Sequence, residues 1–156
     1  MEYFEITIYP VKAERNKNLR QEIEDEIRKT KLYKETTLIE FFSEECKDFD
    51  EICISIPDYH FSQKDFIAEV AELSKFIGSI FSKNPQLSFA TGIYELSFDY
   101  YESLKSLNEL NKTFLEKFPI VFFNNFSDKK WNLLGDKIYT DRNVECVFNS
   151  TVQTIF

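Results

Sequence analysis

Three cysteines and one histidine are the residues of this chain with the widest chemical range. Cys46, Cys53 and His60 follow one another at seven-residue steps, and Cys146 stands far from them. A zinc site generally holds two thiolates on one tight turn through a C-x2–4-C pair, which this spacing does not provide. Ordinary buried thiols and a partly buried histidine are therefore expected, with no metal and no cofactor. Asp58-Tyr59-His60 near Cys53 can be drawn as orienter, base and nucleophile. No G-x-S-x-G elbow accompanies them, and Gly78, Gly92 and Gly135 stand singly, so a nucleophile turn and a phosphate-cradling loop are both missing from the sequence. These absences weigh against an enzyme.

Carboxylates are the second chemical resource. Between Glu35 and His60 lie Glu35, Glu40, Glu44, Glu45, Asp48, Asp50, Glu51 and Asp58 against Lys47 alone, which is nearly the whole formal net charge of −8. Catalytic carboxylates work in pairs with at least one buried beside groups that shift its pKa, and neither this segment nor Glu69 and Glu72 carries a sign of such burial. Treated as a surface, the segment reads differently. Crowded like charges repel, so a local cluster is either a solvated loop or a patch kept for a cationic partner. Phe41, Phe42, Phe49, Tyr59 and Phe61 are interleaved with the acids and would supply desolvated contact. The partner-binding candidates are thus Glu44, Glu45, Asp48, Phe49, Asp50, Glu51, Asp58 and Tyr59. Glu95 and Asp99, which alternate with Ser97 on one strand face, extend the patch.

Charge also sorts the partners. Phosphate backbones demand clustered Lys and Arg, whereas the local basic group Lys12, Arg15, Lys17 and Arg20 is modest and interleaved with acids, so nucleic acid is disfavoured. No basic n-region with an apolar stretch opens the chain, and no run approaches the roughly 18 apolar residues of a membrane span. An odd number of cysteines without a secretion signal favours reduced thiols, and a cytoplasmic protein is expected.

The elements that must position these residues follow from periodicity. Glu2–Tyr9 alternates with Phe4, Ile6 and Ile8 on one face, a half-buried strand ended by Pro10. Leu19, Ile23 and Ile27 mark a helix from about Asn18 to Lys34. Thr36–Phe42 and Glu51–Pro57, the latter with Ile52, Ile54 and Ile56 alternating, are two strands around the acidic connection. Ser62 and Asp65 signal the start of a helix with a wide apolar face (Phe66, Ile67, Val70, Leu73, Ile77, Ile80, Phe81), closed at Asn84-Pro85. Leu87–Tyr100 is strand-like. Leu104, Leu107, Leu110, Phe114 and Phe118 are spaced as a helix before Pro119, and Ile120–Phe123 is a buried strand. Strands near Lys137–Tyr139, Val144–Phe148 and Val152–Phe156 follow, around turns at Gly135-Asp136 and Thr140–Asn143. Residues 1–100 thus run β-α-β-β-α-β, the ferredoxin-like order, followed by a helix and a small antiparallel extension. With 156 residues and no linker-like stretch, a single α+β domain over 1–156 is expected.

An acidic chain with 17% aromatic residues, carrying Glu44-Glu45-Cys46-Lys47-Asp48-Phe49-Asp50-Glu51, resembles the immunity proteins of bacterial polymorphic-toxin and contact-dependent growth inhibition systems. The resemblance lies in whole-chain character, and such proteins span unrelated folds. It implies binding and neutralising a cognate toxin protein with a basic surface, often a nuclease, with the acids steering and Phe49 and Tyr59 buried in the contact. Two other classes remain open. One is a small ligand-binding or enzymatic α+β domain around His60 or the Glu95/Asp99 row; the other is a structural or adaptor protein of a mobile element. Oligomeric state is not legible in the sequence.

Overall fold

The alternation of Phe4, Ile6 and Ile8 puts three apolar side chains on one face of the strand β1 (Tyr3–Val11), and all three are fully buried there. The computed structural model describes residues 3–11, 18–42, 48–94 and 106–149. After β1 come helix α1 (Leu19–Arg28), strands β2 (Leu38–Phe42) and β3 (Asp50–Pro57), helix α2 (Phe66–Lys83) and strand β4 (Phe89–Tyr94). A one-turn helix α3 (Lys112–Leu115) and strands β5 (Ile120–Asn124), β6 (Asp136–Thr140) and β7 (Val144–Phe148) complete the described chain.

The strands form one antiparallel sheet of seven in the order β2-β3-β1-β4-β5-β7-β6. The fold class is α+β. The first six elements follow each other as the periodicity predicts, but a four-stranded ferredoxin-like sheet does not describe the molecule, because β5, β7 and β6 continue the sheet beyond β4. Leu19, Ile23 and Ile27 of α1 join Phe66, Val70, Leu73, Phe76, Ile77, Ile80 and Phe81 of α2 in covering one sheet face, the helix face. The opposite face carries a second, smaller core. Tyr9, Phe89, Ile93, Val121, Phe123 and Val147 lie there under Phe49, Leu110, Phe114, Leu115 and Phe118.

Four expectations change. β1 runs through Pro10, because its register against β3 slips between Ile8 and Val11, where a proline removes no ladder N–H. α1 stops at Arg28, not Lys34: the Thr30 hydroxyl donates to Ile27 O and accepts the Leu32 N–H, drawing the backbone out of the helix. The Ser62/Asp65 signal is used differently, since Ser62 N–H donates to the Glu69 carboxylate and Asp65 makes no side-chain cap; Ile67 on the first turn is 61% exposed. The stripe ending at Phe118 is not one helix. Asn111, in extended backbone, accepts the Phe114 N–H and opens the separate turn α3, so Phe114 is buried from that turn and Leu110 and Phe118 from the irregular chain on either side of it. Leu96–Tyr100, Leu104 and Val152–Phe156 lie outside the described residues.

Candidate functional site

The acidic segment is anchored from its downstream end. Phe49, flanked by two aspartates, turns inward to 1% exposure against Tyr9, their rings 6.3 Å apart in an edge contact. This takes Phe49 out of the set able to touch a partner and makes it a core anchor instead. On its upstream side the exposed Asp48 accepts the Leu107 N–H at 2.9 Å, tying the stem to the segment that covers the second core. On its downstream side the half-buried Asp50 pairs with Val11, and Glu51, only 5% exposed, pairs with Phe42. Glu51 is therefore a buried carboxylate rather than a surface one. Glu44, Glu45, Glu95 and Asp99 lie outside the described residues.

Asp58 and Tyr59 sit elsewhere. They follow the far end of β3, seven residue steps from Asp50, which an extended strand converts to about 23 Å. The predicted patch is thus divided between two ends of one strand. Tyr59 is half-buried, its ring 5.0 Å from Phe61 and 5.8 Å from Phe4. Burial first, then the charge of Glu69, pushes its phenol pKa up, and its hydroxyl has no hydrogen-bond partner of good geometry. Glu69 itself is raised by burial, with Asp65 and Glu72 adding to the rise against the Ser62 N–H bonds. Glu72 accepts the Lys31 N–H at 2.7 Å. Both carboxylates named as a possible catalytic pair therefore staple backbone. Asp58 takes a left-handed φ of 50°, and the Lys34 ammonium donates to the Pro57 carbonyl beside it.

Register shows a cluster that alternation alone only hinted at. Across β2, β3, β1 and β4, Glu40, Cys53, Thr7 and Thr91 stand in one row, with Ser55 and Glu5 paired in the next. Thr7, Cys53, Ser55 and Thr91 are all buried, and the Thr91 hydroxyl lacks a hydrogen-bond partner. Burial, then the Glu5 and Glu40 carboxylates, pushes the Cys53 thiol up to about 12, against hydrogen bonds from Ser55 and Thr7. Cys146, on the helix face of β7, is also raised by burial. Protonated thiols are poor nucleophiles and poor metal ligands. His60 lies past the end of β3, exposed and stacked on Tyr94 at 6.0 Å, so the structure does not bring it to Cys53 in mid-strand. Among the described residues, no three His, Cys, Asp or Glu side chains are grouped to hold a metal ion.

Exposed chemistry concentrates at the β2 end of the sheet. Among the described residues β2 pairs only with β3, which leaves it as an edge. Arg20 reaches from α1 to donate to Ile39 O at 2.7 Å, and its guanidinium lies 4.8 Å from the centre of the Phe41 ring. Leu38, 47% exposed, and the exposed Glu40 share the strand face opposite Phe41. A shallow groove between α1 and α2 is lined by Glu26, Lys29, Ala71, Glu72 and Lys75 among others; Glu26 pairs with Lys29 at the end of its own helix and with Lys83 of α2. Those lysines outweigh the burial of Glu26 and hold its carboxyl below the usual range.

The chain matches no family model, no curated protein and no solved structure. No described helix is long and apolar enough to cross a membrane.

Proposed function

We propose that this protein is a cytoplasmic inhibitor of the immunity type, which binds a basic toxin domain through the acidic corner where β2 meets β3. The supporting observation is the Phe49 anchor. With Phe49 buried against Tyr9 and Asp48 tied to Leu107 N–H, the exposed Asp48 and the half-buried Asp50 sit on a fixed stem. Fixing a charged stem before encounter lowers the ordering entropy that association would otherwise cost. Long-range attraction then speeds the encounter, and contacts at the corner decide how long the complex lasts. Phe49 acts from within, by holding the stem.

Tagged wild-type protein and the D48K/D50K double variant, taken through low-salt and high-salt co-purification from the native host, test this reading. The expected result is one basic protein retained stoichiometrically by the wild type at low salt, released by high salt and lost with the double variant; its toxicity on expression alone should vanish when the wild type is co-expressed. Equal retention by the double variant, or no stoichiometric basic partner, would overturn it.

A further inference from the structure

In an antiparallel edge strand every second carbonyl points away from the sheet and needs a donor from elsewhere. At β2 the carbonyl of Ile39 finds that donor in Arg20, a side chain on another element that is held over Phe41 by a cation–π contact. An incoming backbone N–H can take the place of the guanidinium at little net loss. The side chains on either side of Ile39 are Leu38 and Glu40, both exposed. If residues 39 and 41 offer their backbone outward, Glu40 occupies the non-hydrogen-bonded position between them, where an opposing residue comes within about 4.5 Å Cα to Cα. A second copy of the chain, paired symmetrically about the middle of β2, would set Glu40 against Glu40, and like charges directly opposite destabilise a strand pair. A lysine or arginine opposite Glu40 would be favoured instead. Asp50 and Asp48 lie just past the Phe42–Glu51 end of the same hairpin, so the charge bias continues beyond the strand.

We propose that the β2 edge (Leu38–Phe42) is a strand-addition site, guarded by Arg20, that takes an extended basic segment of a partner protein with Lys or Arg opposite Glu40. The proposal rests on the partner-binding reading above and names the element the partner contributes. Main-chain hydrogen bonds to the edge supply affinity and alternate side chains supply selection. Arg20 blocks casual pairing and yields to a strand that replaces its hydrogen bond.

The test is fluorescence anisotropy with a labelled peptide alternating Lys and Val, its version with Glu for Lys, and its version N-methylated at alternate backbone nitrogens. The wild type should bind the first and not the second, and N-methylation should weaken binding about tenfold or more, the loss of two main-chain hydrogen bonds. R20A should bind severalfold more tightly and E40K at least about tenfold more weakly. Equal binding of the N-methylated peptide would mean ion pairing alone and would overturn strand addition, as would unchanged binding by E40K. A sedimenting dimer of R20A would overturn it in favour of a second copy as the occupant. If the peptide fails while low-salt capture of a basic protein is still lost in D48K/D50K, the inhibitor reading stands and only the strand-addition site falls.

Discussion

The two halves of the sheet share one helix-covered face and differ on the other. From β4 to β7 the second face is mainly apolar: Phe89, Val121, Phe123 and Val147 pack under Leu110, Phe114 and Phe118, Trp131 stacks on Phe89 at 5.0 Å, and the buried Glu145 beside them is paired with Lys130 and Lys137. Among the described residues of this half the charges balance, with Glu109, Glu116, Asp128, Asp136, Asp141 and Glu145 set against Lys112, Lys117, Lys129, Lys130, Lys137 and Arg142. From β2 to β1 the same face carries Glu40, Glu51, Cys53, Ser55, Glu5 and Thr7, and no Lys or Arg shares that face of the three strands. One half closes its sheet mainly with aromatic packing, while the other gathers the carboxylates of Glu5, Glu40 and Glu51 on that face. That difference in chemistry makes the acidic half the place to look for function.

The largest test of this contrast is thiol chemistry. With its pKa moved from 9.0 to about 12, the Cys53 thiolate population at neutral pH should fall about a thousandfold. Cys53 and Cys146 should therefore both resist a disulfide exchange reagent in native protein and react once urea unfolds it. Fast native labelling of Cys53 alone would mean that the polar half is open to solvent, and the two faces would differ in burial as well as in chemistry. Next comes F49A, which should cost about 3–4 kcal/mol by urea denaturation, the usual loss for a buried phenylalanine. A cost below 1 kcal/mol would detach the acidic stem from the second core.

The smallest effect lies in the neutral half. Burial would raise the pKa of Glu145, but hydrogen bonds and charge from Lys130 at 2.8 Å and Lys137 at 3.0 Å outweigh it and hold the carboxyl below its ordinary value. The folded pKa is depressed, so the stabilisation is complete well above 4.5 and disappears as pH falls through the lower folded value. E145Q should cost about 1–2 kcal/mol at pH 7, discounted for the exposure of both lysines, and the gap from wild type should close in strong acid. A gap independent of pH would assign the effect to packing of the loop that holds Lys130.

What the sequence discloses follows from how local each cause is. Phe4, Ile6 and Ile8, the Ile52–Ile56 alternation and the α2 stripe declare their faces because a period of two or of 3.6 residues is set by neighbours along the chain. Strand order is another matter: β1 lies between β3 and β4, and no short-range pattern announces the continuation into β5, β7 and β6. In the candidate site, Asp48 and Asp50 stand near the surface as their charge suggests. Phe49 and Glu51 do not, and Tyr59 is half-buried, because their burial is decided by Tyr9 and Phe4, at least 40 positions away, and by the strand alignment. The stripe from Leu110 to Phe118 predicts burial correctly, but the helix predicted there is broken into short turns, since Asn111 opens a new turn with its own side chain.

The interior place of β1 in the sheet also sets a timetable for synthesis. Its two neighbours are residues 50–57 on one side and 89–94 on the other, so this strand leaves the ribosome well before either can flank it. Until β4 is made, one edge of Tyr3–Val11, a run rich in isoleucine and aromatic residues, stays open in the nascent chain. Sheets built from such distant pairings fold in about milliseconds to seconds, and their incomplete forms aggregate readily. Slow translation between codons 58 and 88 would lengthen that interval, and a chaperone bound to the emerging β1 would protect it.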